Sequence, residues 1–193
     1  DVLRRLGPAA EAAVPLLVEF ATDPDPNLRA AAITALGPIE SAAAIPALIE
    51  VLQDADADAH LKIRAIVSLG RVGPARETVI PALTVCLKEP ALRLSALAAL
   101  AQMGPDAAES VPVLVEAFQH SQDPAFSDRI AWTLGQIGPA AEAAVPALIE
   151  GIRHESYIVG ARSAAALGNI GPAAEPAVPA LIEAVRSPAS VAP

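Results

Sequence analysis

An all-α solenoid of stacked antiparallel helix pairs is the fold class this sequence predicts, and it rests on repetition, proline phase and composition. The dipeptide Gly-Pro, followed seven or eight residues later by an aliphatic residue and a second proline, occurs six times in 193 residues. The second prolines, Pro15, Pro46, Pro81, Pro112, Pro146 and Pro179, advance by 31, 35, 31, 34 and 33 residues. Periods of that size mark stacked supersecondary units. Hydrophobic residues make up 53% of the chain and aromatic residues only 3%. The core must therefore be built from Ala, Leu, Ile and Val, and alanine at this frequency favours helix.

Each unit of such an array packs only on its neighbours, so one elongated domain over 1–193 is expected. Its phase gives the end of a preceding repeat at 1–7, complete repeats at 8–37, 38–73, 74–104, 105–138 and 139–171, and a partial repeat at 172–193. Six first helices and five second helices follow, about eleven in all, with no strands.

The first helix is clearest in Pro139 to Ile152, where Val145, Leu148, Ile149 and Ile152 share one face. Pro139 suits a first helical turn, whereas Pro146 falls further inside and must kink or restart the helix. The second helix is clearest in Leu28 to Gly37, whose small residues allow close approach. It is expected to stop where a glycine takes the left-handed cap and proline blocks continuation, at Gly73-Pro74, Gly104-Pro105, Gly138-Pro139 and Gly171-Pro172.

Composition narrows the function classes. A formal charge of −9 argues against nucleic acid or an anionic membrane surface as partner, because their affinity comes largely from clustered Lys and Arg. No apolar run reaches the roughly 18 residues that span a bilayer. The single cysteine, Cys86, excludes an intrachain disulfide and agrees with a reducing, cytoplasmic location. It follows Leu83 on a first helix with no histidine near it in sequence, so a packed thiol is expected. The chain begins at Asp1 without methionine, which suggests a fragment or a processed product.

Catalytic, cofactor and metal sites are all expected to be absent. His60, His120 and His154 stand near turns without metal-ligand spacing. The Gly-Pro elements close helices and do not form a phosphate loop. Glu19, Glu50, Glu116, Glu150 and Glu183 each follow a repeat proline by four residues and read as a solvated face.

In the first repeat Pro15, Asp23 and Arg29 are spaced by eight and six residues. With the repeated prolines, this resembles HEAT repeats, particularly the bacterial HEAT-like variety related to phycobilin-lyase repeats, over nearly the whole chain. The resemblance implies a right-handed superhelix whose second helices line the concave side. It also raises two other roles: a lyase-like or chaperone-like factor for a tetrapyrrole-carrying protein, and a HEAT-like DNA glycosylase that would use Trp132 and Asp128. Deoxyhypusine hydroxylase, a HEAT-repeat enzyme, binds two irons through His-Glu pairs. The corresponding positions here hold Ala30-Ala31, Ile63-Arg64, Leu94-Ser95, Asp128-Arg129 and Ala161-Arg162, so that constellation is missing.

The recurring leucines Leu36, Leu69, Leu100, Leu134 and Leu167 anchor the second helices. Basic residues lie seven before the anchor at Arg29, Lys62 and Arg93, and five before it at Arg64, Arg129 and Arg162. They read as an ion-pair ladder with turn acids and exposed carbonyls; an anion-binding groove is the other reading. Six, three and two before the anchor stand Ile33, then Ile63, Ile66 and Val67, then Leu94 and Leu97, then Trp132. These form the expected partner-binding stripe, with Arg71, Gln102 and Gln136 as a polar rim. The expected function is a noncatalytic scaffold that binds a protein or peptide. The apolar last helix, with Leu181, Ile182 and Val185 before Ser187-Pro188, adds an expectation of further repeats or end-to-end self-association.

Overall fold

The computed structural model describes residues 7–72 and 76–186, and every regular element among them is helical. The first seven-residue segment, the Gly73-Pro74 stop and the Ser187-Pro188 end lie wholly or largely outside these residues. Eleven α-helices are described, separated by short turns and 3₁₀ segments, in two compact units that divide between Met103 and Gly104.

The first unit holds α1 (Val14–Phe20), α2 (Pro26–Leu36), α3 (Ile45–Gln53), α4 (Ala59–Leu69), α5 (Arg76–Cys86) and α6 (Arg93–Met103). They pair in chain order, α1 on α2, α3 on α4 and α5 on α6, while the second helices stack as α2, α4, α6. The second unit repeats the scheme with α7 (Val111–His120), α8 (Pro124–Ile137), α9 (Val145–Ile152), α10 (Tyr157–Ile170) and α11 (Val178–Arg186). There α7 pairs with α8, α9 with α10, and α8 stacks on α10. The fold is an all-α repeat solenoid.

Proline writes the shape of the first helices. From Gly138 the chain forms a 3₁₀ segment to Ala144, bends at Ala141 (φ −94°, ψ 23°) and begins α9 at Val145, with Pro146 in its first turn. A proline there forfeits no helical hydrogen bond, since the first N–H groups have no partner inside the helix. The segment from Gly104 to Ser110 bends in the same way at Ala107 before α7. In α5 the helix instead runs continuously through Pro81.

Three of the second helices, α2, α4 and α8, start at side-chain caps, whereas Ser156 before α10 makes no such bond. Asp25, Asp58 and Asp123 accept hydrogen bonds from the N–H groups of Asn27, Leu61 and Ala125 at 2.8–3.0 Å. Asp23 sits outside the helix and accepts from the Asp25 N–H. At the other end Gly104, Gly138 and Gly171 have positive φ of 58°, 69° and 80°, which glycine permits, but ψ of −137° at Gly138 and −138° at Gly171 puts those two outside the left-handed helical cap expected from the sequence. The first repeat departs from this: Gly37 stays right-handed at φ −57° and Glu40 takes the left-handed position at φ 57°.

The five anchor leucines are buried throughout, and the recurring glutamates are all exposed. In α11, Val178 is 48% exposed where its counterpart Val145 in α9 is 5% exposed.

Candidate interaction surface

Successive residues of an α-helix are turned by about 100°, which decides what each position before the anchor leucine faces. The position three before it lies about 60° from the leucine and shares its buried face. Ile33, Ile66 and Leu97 occupy it and are only 0–1% exposed. They are core residues, and the expected stripe loses them. The positions six and two before the anchor, and two after it, lie about 120–160° away and turn outward.

In the first unit this outward face carries Val67, 40% exposed, Leu94, 50% exposed, the half-buried Ile63, and exposed Arg71 and Gln102. Its helices α4 and α6 lie side by side. In the second unit the same register on α8 presents half-buried Trp132 and exposed Gln136. The Arg129 guanidinium lies 5.2 Å from the centroid of the Trp132 ring, over its face. Sequence spacing missed Tyr157 and Ile158, an exposed pair at the start of α10 that falls outside the leucine register.

Several of the basic residues link repeats. Arg29 donates from Nε to the Ala21 carbonyl at 3.1 Å and from Nη2 to Asp54 at 2.5 Å, joining its own repeat to the next turn. Arg64 donates to the Thr34 hydroxyl at 3.0 Å, and Arg162 to the Asp128 carboxylate at 2.7 Å. Asp128, the acid of the glycosylase reading, is thus held by Arg162.

The hydrogen bond from Arg29, followed by one from the Asp56 N–H, holds the Asp54 carboxyl below its ordinary 3.8. A carboxyl with a depressed folded pKa stabilises the fold above its unfolded pKa, and that contribution is lost as pH falls through the folded value. Asp54→Asn is therefore expected to be less stable than the parent at neutral pH, with the gap closing as pH falls below about 5 and through the folded value. Urea unfolding of both proteins across that range checks it; a gap unchanged at the lowest pH refutes the charge-based account.

Burial, reinforced by the charge of Glu89 and opposed by Lys62, pushes the Cys86 thiol up to about 11. It stays protonated at neutral pH, and its sulfur donates to the Ala82 carbonyl at 3.3 Å. All three histidines are exposed, and among the described residues no group of three or more His, Cys, Asp or Glu side chains is placed to hold a metal ion. No described helix is long and apolar enough to cross a membrane.

The family model described as HEAT repeats matches residues 1–60, 51–126 and 111–192. No curated protein matches the chain in sequence. Among solved structures, the complex of CpcE and CpcF of phycocyanin lyase from Nostoc sp. PCC7120 contains a chain similar to this one, with 25% identity and a TM-score of 0.62. The match covers 82% of this chain and spans 65% of that one, less than two thirds of its length. Human deoxyhypusine hydroxylase in complex with glycerol matches with 23% identity and a TM-score of 0.40, over 96% of this chain and 84% of that one.

Proposed function

The chain belongs to the HEAT-repeat family, and from that premise we propose that it is a noncatalytic scaffold binding a protein or peptide on the outward, concave-side faces of its second helices. The observation that carries this reading is the row of Ile63, Val67 and Leu94 beside Arg71 and Gln102. Val67 and Leu94 are turned outward on neighbouring helices with much of their apolar surface in solvent, and an apolar row with a polar rim is the usual anatomy of a recognition surface. Trp132 and Gln136 supply the same chemistry on the second unit, and Trp is favoured as an interface anchor.

A test begins with peptides selected from a random display library against the whole chain. They are expected to protect α4 and α6 from hydrogen exchange and to bind Leu94→Ser at least about tenfold more weakly, with the melting temperature nearly unchanged. Equal binding to parent and variant refutes the placement.

A second reading is favoured by the likeness to the phycocyanin lyase chain: a lyase-like or chaperone-like factor acting on a tetrapyrrole-carrying protein. New visible absorbance or fluorescence on incubation with a bilin supports it, and an unchanged spectrum rejects it.

A further inference from the structure

The chain carries 22 acidic residues against 13 Lys and Arg, but it does not spread them evenly. On α2, α4 and α6 the positions six, five and two before the anchor leucine, and two after it, lie about 120–160° from it and make up the outward face of the first unit. None of them is Asp or Glu. The acids of this unit stand on the first helices, as Glu19 and Glu50 do, and in the turns, as Asp54, Asp56 and Asp58 do.

Cations do occupy the outward face. Arg64 and Arg71, both exposed, flank the exposed Val67 at five before and two after Leu69. Arg64 donates to the neutral Thr34 hydroxyl at 3.0 Å, and among the described residues neither arginine is paired with a carboxylate. Arg29, which lies off this face at seven before its anchor, is paired with Asp54. The second unit shows the same segregation on its own helices. There the corresponding positions of α8 and α10 hold a single acid, Asp128, and Arg162 donates to it at 2.7 Å, while the exposed Arg129 lies over the Trp132 ring.

We propose that the outward face selects an acidic, apolar segment of a partner protein, with Asp or Glu interspersed among aliphatic or aromatic side chains. This rests on the scaffold reading above and names the chemistry of the partner. The apolar side chains of such a segment meet Val67 and Leu94, and its carboxylates accept paired hydrogen bonds from Arg64 and Arg71, whose planar guanidinium groups match a carboxylate. Seven residues of helix separate the two arginines by about 10 Å, the reach of three residues of extended chain at about 3.3 Å each. A basic segment would meet two unpaired cations and no acid. The net charge of −9 does not decide against an acidic partner. The recurring glutamates belong to the first helices, a helix diameter of about 10 Å away, and the Debye length at physiological salt is about 8 Å, so pairs made in contact outweigh the remote charge.

The test takes peptides selected from a random display library against the whole chain and synthesises each with its acids intact and with Asp and Glu replaced by Asn and Gln. Those that protect α4 and α6 from hydrogen exchange are expected to be rich in acids beside apolar residues, and their amide forms to bind at least about tenfold more weakly. Arg64→Gln combined with Arg71→Gln is expected to weaken the acidic forms by at least about tenfold with the melting temperature nearly unchanged. Arg64→Glu combined with Arg71→Glu is expected to prefer forms of the same peptides that carry Lys in place of the acids, a reversal that no misfolded variant gives. Peptides weakened by Leu94→Ser but indifferent to the arginine substitutions and to loss of their own acids overturn the proposal and leave the scaffold reading standing. Indifference to Leu94→Ser as well refutes the placement on this face and the proposal with it. A single-stranded oligonucleotide that displaces the acidic peptides with comparable affinity assigns the face to a polyanion and also overturns the proposal.

Discussion

Ile66→Ala is expected to lower the free energy of unfolding by about 2–5 kcal/mol, and Leu97→Ala by a similar amount, the usual cost of removing a fully buried aliphatic side chain and leaving a cavity. Both residues sit three before an anchor leucine, so each shares the face by which α4 or α6 joins the core. In a repeat array the stability of each unit depends on its interfaces with its neighbours, so a cavity in α4 weakens its packing on both α2 and α6. Val67→Ser and Leu94→Ser lie on the outward face and are expected to change stability by no more than about 0.5 kcal/mol, as exposed positions usually do. Urea unfolding followed by circular dichroism separates the two sets. If Ile66→Ala left the midpoint where Val67→Ser leaves it, the assignment of faces on α4 would be wrong.

Gly70→Ala is expected to destabilise by about 1–3 kcal/mol, whereas Gly168→Ala is expected to stabilise by about 0.5–1 kcal/mol. The sign depends on what stands opposite. A Cβ added at Gly70 would lie 2.8 Å from the Ala99 Cβ and 2.9 Å from the Ala99 Cα, so α4 and α6 would have to move apart. At Gly135 the Ala166 Cα stands 3.1 Å away and imposes a smaller cost of the same sign. Gly168 occupies the same position after its anchor leucine with nothing within 4 Å, so only the gain in helix propensity remains. Thermal melts of the three alanine variants decide the matter, and a common sign would remove close helix approach as the reason for glycine at Gly70 and Gly135.

Much of this was legible in the residues because the signals are local. Each Gly-Pro and each aliphatic-Pro pair acts within one helical turn, through a missing N–H and a constrained φ, wherever the segment lies in the fold. The restart at Val145 followed from that alone, while the positive φ at Gly138 and Gly171 followed from glycine's freedom, with a ψ that departs from the expected left-handed cap. The glycine stop did not carry to the first repeat, where Glu40 adopts the left-handed conformation in place of Gly37. The binding stripe was only half legible. Grouping residues six, three and two before the leucine treated a span of helix as one face, while the rotation per residue puts Ile33, Ile66 and Leu97 on the core side.

The sequence by itself determined the repeat period, the order and type of the elements, and the leucine that each second helix buries, because these depend on spacings within one helix or turn. Tertiary structure alone decided what meets across repeats. Arg29 finds Asp54 twenty-five positions away, Arg162 finds Asp128 thirty-four positions away, and Gly70 meets Ala99. Those contacts depend on how one unit is set against the next, a geometry that small differences in turn length change and that no spacing inside a single repeat encodes.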